Sequence, residues 1–171
     1  MRLLIVTLML VIIGLTSCSS DQSNTRLILN KQMEIIIPAE FQYSKKVFNE
    51  NSMFTNIDHH IDYFLNQDSS KEISFIKLPD TGNDIDFKMI ADISMKAMAT
   101  KIIFKGEKTI NDIPMYITEF VGYEEGKEKY MKIIYFLSGE NVTMGIFSSS
   151  PDKQEAWAKQ SSDIIKTLKN K

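Results

Sequence analysis

The stretch MYITEFVGYEEGKEKYMKIIYFLS, residues 115–138, reads as two strands around a polar turn. Met115–Tyr123 and Lys129–Ser138 are crowded with β-branched and aromatic side chains, which fit a pleated surface, and Glu124-Glu125-Gly126-Lys127-Glu128 between them breaks the pattern. Placing the turn on Gly126 sets Val121 against Met131 and Ile117 against Tyr135 on one side. It sets Tyr116 against Phe136 and Thr118 against Ile134 on the other. Both faces are then apolar. A half-solvated antiparallel sheet shows one polar face, so this sheet is expected to be covered on both sides by helices, or to leave part of a face open as a hydrophobic binding surface.

Further strands flank this hairpin. Val142–Ser149 follows the tight Gly139-Glu140-Asn141, and Ile102–Ile110 precedes Asn111-Asp112-Ile113-Pro114. Consecutive hairpins of this kind make an antiparallel meander. After it, Ser150-Pro151 reads as an N-cap and a proline at the first helical position, where its missing donor is harmless. Trp157, Ser161, Ile164 and Leu168 then form one stripe by which a terminal helix docks. Before the meander, Pro79–Asp84 is a loop, and Asp84 or Asp86 caps a helix running to about Lys101. Phe87, Ile90, Ala91, Ser94, Ala97 and Met98 follow the helical spacing and make one face apolar or small. Ile61–Asn66 and Lys71–Leu78 pair as a hairpin around Gln67-Asp68-Ser69-Ser70, and Lys31–Ile37 is a first strand ended by Pro38. Residues 39–60 read as a long loop with a short strand near Lys46–Phe48. The fold class is therefore α+β, an antiparallel meander covered by helices.

The 171 residues are 43% hydrophobic and 25% charged, the composition of a globular domain rather than of a disordered chain. The net charge of -2 argues against nucleic acid as a partner, since no excess of positive charge is available to follow a phosphate backbone. One domain is the default at this length.

The N-terminus carries an address. Arg2 precedes the apolar run Leu3–Leu15, about thirteen residues, which is signal-peptide length and short of the ~20 of a spanning helix. Leu15-Thr16-Ser17-Cys18 resembles the bacterial lipobox. That resemblance implies thioether lipidation of Cys18, cleavage before it and acylation of the new amino group. Cys18 is the chain's one cysteine, so no disulfide competes for it. Several acyl chains give stable anchoring. The expected organisation is a signal peptide over 1–17, a lipidated Cys and polar tether over 18–30, and one domain over 31–171. In a diderm organism, Ser19 after the cysteine resembles an outer-membrane sorting signal, which places the domain in the periplasm.

A strand ending in an aliphatic residue and Pro, followed by Phe (Ile35-Ile36-Ile37-Pro38, then Phe41), then a central helix, a meander and a terminal helix ending Ile164-Ile165-Lys166-Thr167-Leu168, resemble the PsbP-like, DcrB-type domain over about residues 31–169. The family includes bacterial lipoproteins, a photosystem subunit, a GTPase-binding factor and chaperones of secreted effectors. The resemblance implies an αβα sandwich and a tendency to bind proteins. It carries over no catalytic residue.

The candidate chemistry is thin. Asp80-Thr81-Gly82 matches the aspartic-protease tripeptide but has no second copy and follows Pro79, so it reads as a turn. Asp80, Asp84 and Asp86 lack the glycine and glutamate positions of a calcium loop. Ser150-Pro151-Asp152-Lys153 fits Ser-x-x-Lys without the companion boxes of that enzyme class. His59-His60 could serve a metal with Asp58 or Asp62 only from a loop, because neighbours on a strand point apart. No cofactor is implied. Eight methionines lie beyond the leader, and Met89, Met95 and Met98 on the central helix serve as adaptable contacts or as core filler. The long segment carries Phe41, Tyr43, Phe48, Met53 and Phe54, too apolar for an idle linker. Phe41, Tyr43, Met53 and Phe54 are therefore the candidate partner-binding residues, in a patch bordered by that segment and the Met-bearing helix. The reading that follows is a lipid-anchored, non-enzymatic envelope protein that binds an envelope or exported protein. The alternatives are an immunity or exclusion lipoprotein against a toxin or phage component, and, from another class, a metal-binding protein or hydrolase using His59-His60.

Overall fold

A computed structural model describes residues 24–44, 61–78 and 86–171. Two sheets are present among them. The small one pairs β1 (Asn24–Ile28), β2 (Met33–Ile37) and β10 (Lys169–Asn170) in the order β1-β2-β10. The large one has seven strands: β3 (Phe41–Ser44), β4 (Ile61–Asn66), β5 (Lys71–Lys77), β6 (Ala99–Ile110), β7 (Ile113–Glu124), β8 (Lys127–Ser138) and β9 (Asn141–Ser149). Their order is β3-β4-β5-β9-β8-β7-β6, all antiparallel. Helix α1 (Phe87–Met98) precedes the meander, and a 3-10 turn (Pro151–Lys153) leads into α2 (Gln154–Ile165).

The meander forms as expected, with one shift. Val121 pairs Tyr130, Ile117 pairs Ile134, Tyr116 pairs Tyr135 and Thr118 pairs Ile133, one residue away from the register expected for a turn centred on Gly126. The cause is turn chemistry. Glu125 and Gly126 adopt φ of 52° and 77°, so these two residues alone make the turn, and Glu124 and Lys127 join the ladder. A one-residue slip exchanges the faces of a strand, yet both faces remain apolar because Ile133-Ile134-Tyr135-Phe136 is apolar at every position.

Each face has its own cover. On one, Met115, Ile117, Ile134, Phe136, Phe75 and Phe147 pack with Met33, Ile35 and Ile37 of the small sheet and with Trp157, Ile164 and Leu168. The stripe Trp157, Ser161, Ile164 and Leu168 is wholly buried, as the docking helix requires. On the other face α1 brings Ala91 and Met95 onto Tyr116, Phe120, Met131 and Tyr135. Met95 thus faces the core, while Ala97, placed on that face by spacing, is exposed. Helix α1 starts where expected, with the Asp86 carboxylate accepting from the Lys88 and Met89 N–H groups at 2.8 and 3.2 Å. It ends at Met98, earlier than Lys101, because the chain turns directly into β6. Gly122 permits this: a Cβ there would lie 2.2 Å from the Met98 carbonyl oxygen.

Three further expectations change. Asn24–Ile28, assigned to the tether, is a strand paired along the whole of β2, with Ile28 and Leu29 in the core, so the domain starts by residue 24 rather than 31. Its polar residues misled because a strand needs ladder bonds, not apolar side chains, at its exposed positions. Phe41–Ser44 is a strand within the supposed loop. Ser150 sits at the cap position without a side-chain bond, because the Lys153 N–H donates instead to the Ser150 carbonyl in a 3-10 turn.

Candidate functional site

The residues singled out from sequence separate in space. Cys18, Met53, Phe54 and the His59-His60 pair lie outside the described residues, as does Asp80-Thr81-Gly82. Phe41 is 2% exposed and stacks on Trp157 with ring centroids 5.6 Å apart, so it is a core residue and offers nothing to a partner. Its burial comes from its seat against Trp157 of α2 and not from strand alternation, which puts Phe41 and Tyr43 on the same face. Tyr43 is 63% exposed, its ring edge-on to Phe64. It stands on β3, at one edge of the large sheet, whereas α1 lies over β6, β7 and β8 near the other. Tyr43 and the methionines therefore do not border one patch. Of the latter, Met95 is buried, Met98 packs against the core and Met89 is exposed.

Asp62, named beside the histidines, is buried and accepts the Leu29 N–H at 2.7 Å. It holds the β1–β2 turn, where Leu29, Asn30 and Lys31 all have positive φ. Lys153 of the Ser-x-x-Lys match bonds Asp68 Oδ2 and Ser70 Oγ at 2.9 and 2.7 Å, tying the 3-10 turn to the β4–β5 loop. Among the described residues no group of three or more His, Cys, Asp or Glu side chains is arranged to hold a metal, and no helix is long and apolar enough to cross a membrane.

Two features escaped the sequence reading. The first is the free edge of β6. This strand closes the large sheet, so one side of its backbone has no ladder partner among the described residues. It is 12 residues long and carries Ile102, Ile103 and Phe104, all exposed. Ile102 pairs Phe120 while Phe104 pairs Glu119, so one extra residue, Ile103, is inserted between them. The bulge puts Ile102 and Phe104, which would otherwise share a face, on opposite faces. Apolar groups thus surround the edge. Natural edges are usually short or blunted by charge; the opposite edge, β3, has four residues. Lys101, Lys105 and Lys108 outnumber Glu107 along β6. Lys105 bonds Asp92 of α1 at 3.0 Å, and among the described residues Lys101 and Lys108 have no carboxylate at ion-pair distance.

The second feature lies behind that edge. Lys132 on β8, 5% exposed, is directly opposite Glu119 on β7. Its ammonium donates to the Ala158 carbonyl and Ser162 Oγ, both at 2.8 Å, and lies 3.4 Å from Glu119 Oε2. The other Glu119 oxygen accepts the Tyr130 hydroxyl at 2.6 Å. Burial pushes the Lys132 ammonium below its ordinary value; Glu119 opposes that shift and Lys108 adds to it. Burial, then the bond to Glu119, pushes the Tyr130 hydroxyl far up. Beside this cluster, a cavity of about 310 Å³ opens between β6, β7, β8 and the end of α2, lined by Phe104, Ile110, Ile117 and Ile165 together with Lys108, Lys132, Lys166 and Glu119.

The solved structures most informative for this architecture share its topology at very low identity. A cyanobacterial PsbP protein from Synechocystis, CyanoP, matches with a TM-score of 0.60 over 92% of this chain and 99% of its own, at 10% identity. The fold is PsbP-like. A Pseudomonas aeruginosa protein of unknown function matches this chain with a TM-score of 0.57 over 86% of it and 97% of its own length, at 12% identity. A Bacteroides thetaiotaomicron structure gives 0.55 over 88% of this chain and 49% of its own, at 12% identity. At such identity the likeness concerns the PsbP-like fold alone. The sequence matches no protein-family description and no curated protein.

Proposed function

We propose that this chain is a lipid-anchored extracytoplasmic binding protein, non-enzymatic, that takes up an extended segment of another envelope or exported polypeptide along the free edge of β6. The observation that carries the reading is that edge: a 12-residue strand paired on one side by β7 and with no ladder partner on the other among the described residues, with Ile102, Ile103 and Phe104 exposed around it. Strand addition would complete the ladder, main-chain hydrogen bonds giving affinity and alternate side chains giving selectivity. Exposed Lys101, with no carboxylate at ion-pair distance among the described residues, favours an acidic segment, since complementary charge selects partners and speeds encounter. The anchor rests on the resemblance of Leu15-Thr16-Ser17-Cys18 to the bacterial lipobox, which would hold the domain at a membrane surface.

Two experiments test the two halves. Cys18→Ala should leave the precursor unprocessed or release the protein from membranes; a variant processed and membrane-bound like the parent refutes the anchor. For the edge, a photocrosslinking residue is placed in cells at Ile103 and, as a control, at Met89. The expected result is one discrete crosslinked species from position 103 that disappears when Phe104→Asp is added. Equal crosslinking from both positions, insensitive to Phe104→Asp, refutes β6 as the docking edge.

A further inference from the structure

We propose that the cavity between β6, β7, β8 and the end of α2 binds a small amphiphilic monoanion, an acid with a compact apolar body. The walls and the charge balance both point there. Phe104, Ile110, Ile117 and Ile165 supply an apolar lining, and about 310 Å³ is the lower end of small-ligand cavities. Three ammonium groups, Lys108, Lys132 and Lys166, border the space against one carboxylate of the lining, Glu119.

Glu119 is fully engaged: one oxygen accepts from Tyr130 and the other faces Lys132. Lys166 is paired with Asp163 at 2.8 Å, outside the cavity lining. Lys108 is left over, with no carboxylate at ion-pair distance among the described residues. One negative charge is what the cavity lacks. Lys132 has all three donors directed at Ala158, Ser162 and Glu119, so it acts on a ligand through its field and not by direct contact. Lys108 lines the cavity and is exposed, which makes it the group that pairs with the ligand's anionic head. The apolar body then lies against Ile117 and Ile165, where water has few partners and a hydrocarbon or aromatic group gains by leaving solvent. A dianion such as phosphate would leave that lining uncovered, and a cation would meet the surplus lysine.

The test uses the full chain in a lipid nanodisc and phenylpropionate as the probe, with phenylpropanol and phenylpropylamine as the neutral and cationic controls. Isoleucine methyl resonances report on Ile110, Ile117 and Ile165. Phenylpropionate should shift the Ile117 and Ile165 methyls saturably, bind about tenfold more tightly than the alcohol, as one charge-assisted contact implies, and leave the amine without effect. Lys108→Glu should weaken the acid by a similar factor and leave alcohol binding unchanged. Lys132→Met is open to a folding defect, so Lys108→Glu, at an exposed position, carries the decision. Equal binding of acid and alcohol, shifts that never saturate, or acid binding untouched by Lys108→Glu would each overturn the proposal.

Discussion

The ammonium of Lys132 and the carboxylate of Glu119, cross-strand partners in the β7–β8 ladder, meet 3.4 Å apart beneath the terminal helix. Nearly buried charges of opposite sign gain from each other but lose hydration, so removing one member is far worse than removing both. Lys132→Met should therefore cost about 3–5 kcal/mol, read as a shift of the urea midpoint. Adding Glu119→Gln, which keeps an oxygen for the Tyr130 hydroxyl, should recover most of it. A double variant as unstable as the single one would mean that Lys132 holds α2 through Ala158 and Ser162 alone.

Stability against alkaline pH separates two lysines. Lys129 bonds Glu124 at 2.8 Å and also Glu72. Burial opposes its charge, but Glu124 and Glu72 outweigh burial and hold its ammonium above the ordinary 10.5. Its contribution is therefore full below pH 10.5 and lost as pH rises through the folded value. Lys132, shifted below 10.5 by burial, has the opposite sign: its charged form burdens the fold at neutral pH, and the burden lifts as pH climbs toward 10.5. Urea titrations across this range should show the deficit of Lys129→Met shrinking at the top of it, and that of Lys132→Met growing as pH rises toward 10.5. Parallel curves would contradict both assignments.

Asn111 does two jobs. It takes φ of 49° in the two-residue turn joining β6 to β7, and its amide donates to the Lys166 and Leu168 carbonyls at 2.7 and 2.8 Å beyond α2. Asn111→Gly keeps the turn and removes only the two bonds, which should cost about 1–2 kcal/mol. Asn111→Ala adds left-handed strain of roughly 1 kcal/mol more. Equal effects in thermal unfolding would show that the turn carries no strain.

Phe41 and Tyr43, two positions apart on β3, should behave as opposites. Phe41→Ala empties a site against Trp157 and should cost about 3–5 kcal/mol. Tyr43→Ala should cost about 1 kcal/mol or less. A large effect at Tyr43 in equilibrium unfolding would place it in the core.

Much of the PsbP-like fold was legible. Asp84 or Asp86 announced a cap, Trp157 to Leu168 announced a docked stripe, and apolar pairs on both sides of the 115–138 hairpin announced a sheet covered on both faces or open on part of one. These are local signals with a physical period. Register failed by one residue because Glu124–Glu128 contains several possible turns, and the sequence does not say that Glu125 tolerates positive φ. The strand Asn24–Ile28 was hidden because pairing depends on β2, not on its own composition. The site was the least legible part. Lys132 reads as a surface lysine until α2 is folded over it. Ile102-Ile103-Phe104 reads only as the start of a flanking strand until the strand order leaves β6 at the edge.

The central claim is that the edge of β6 accepts an extended acidic segment. Hydrogen–deuterium exchange of the full chain, with and without a synthetic peptide alternating Val and Asp, tests it most directly. Protection should rise within β6 and should vanish for the same peptide with Lys in place of Asp, or when Phe104→Asp is introduced. Unchanged exchange across residues 99–110 with the acidic peptide present, or protection that is indifferent to peptide charge, would contradict the account.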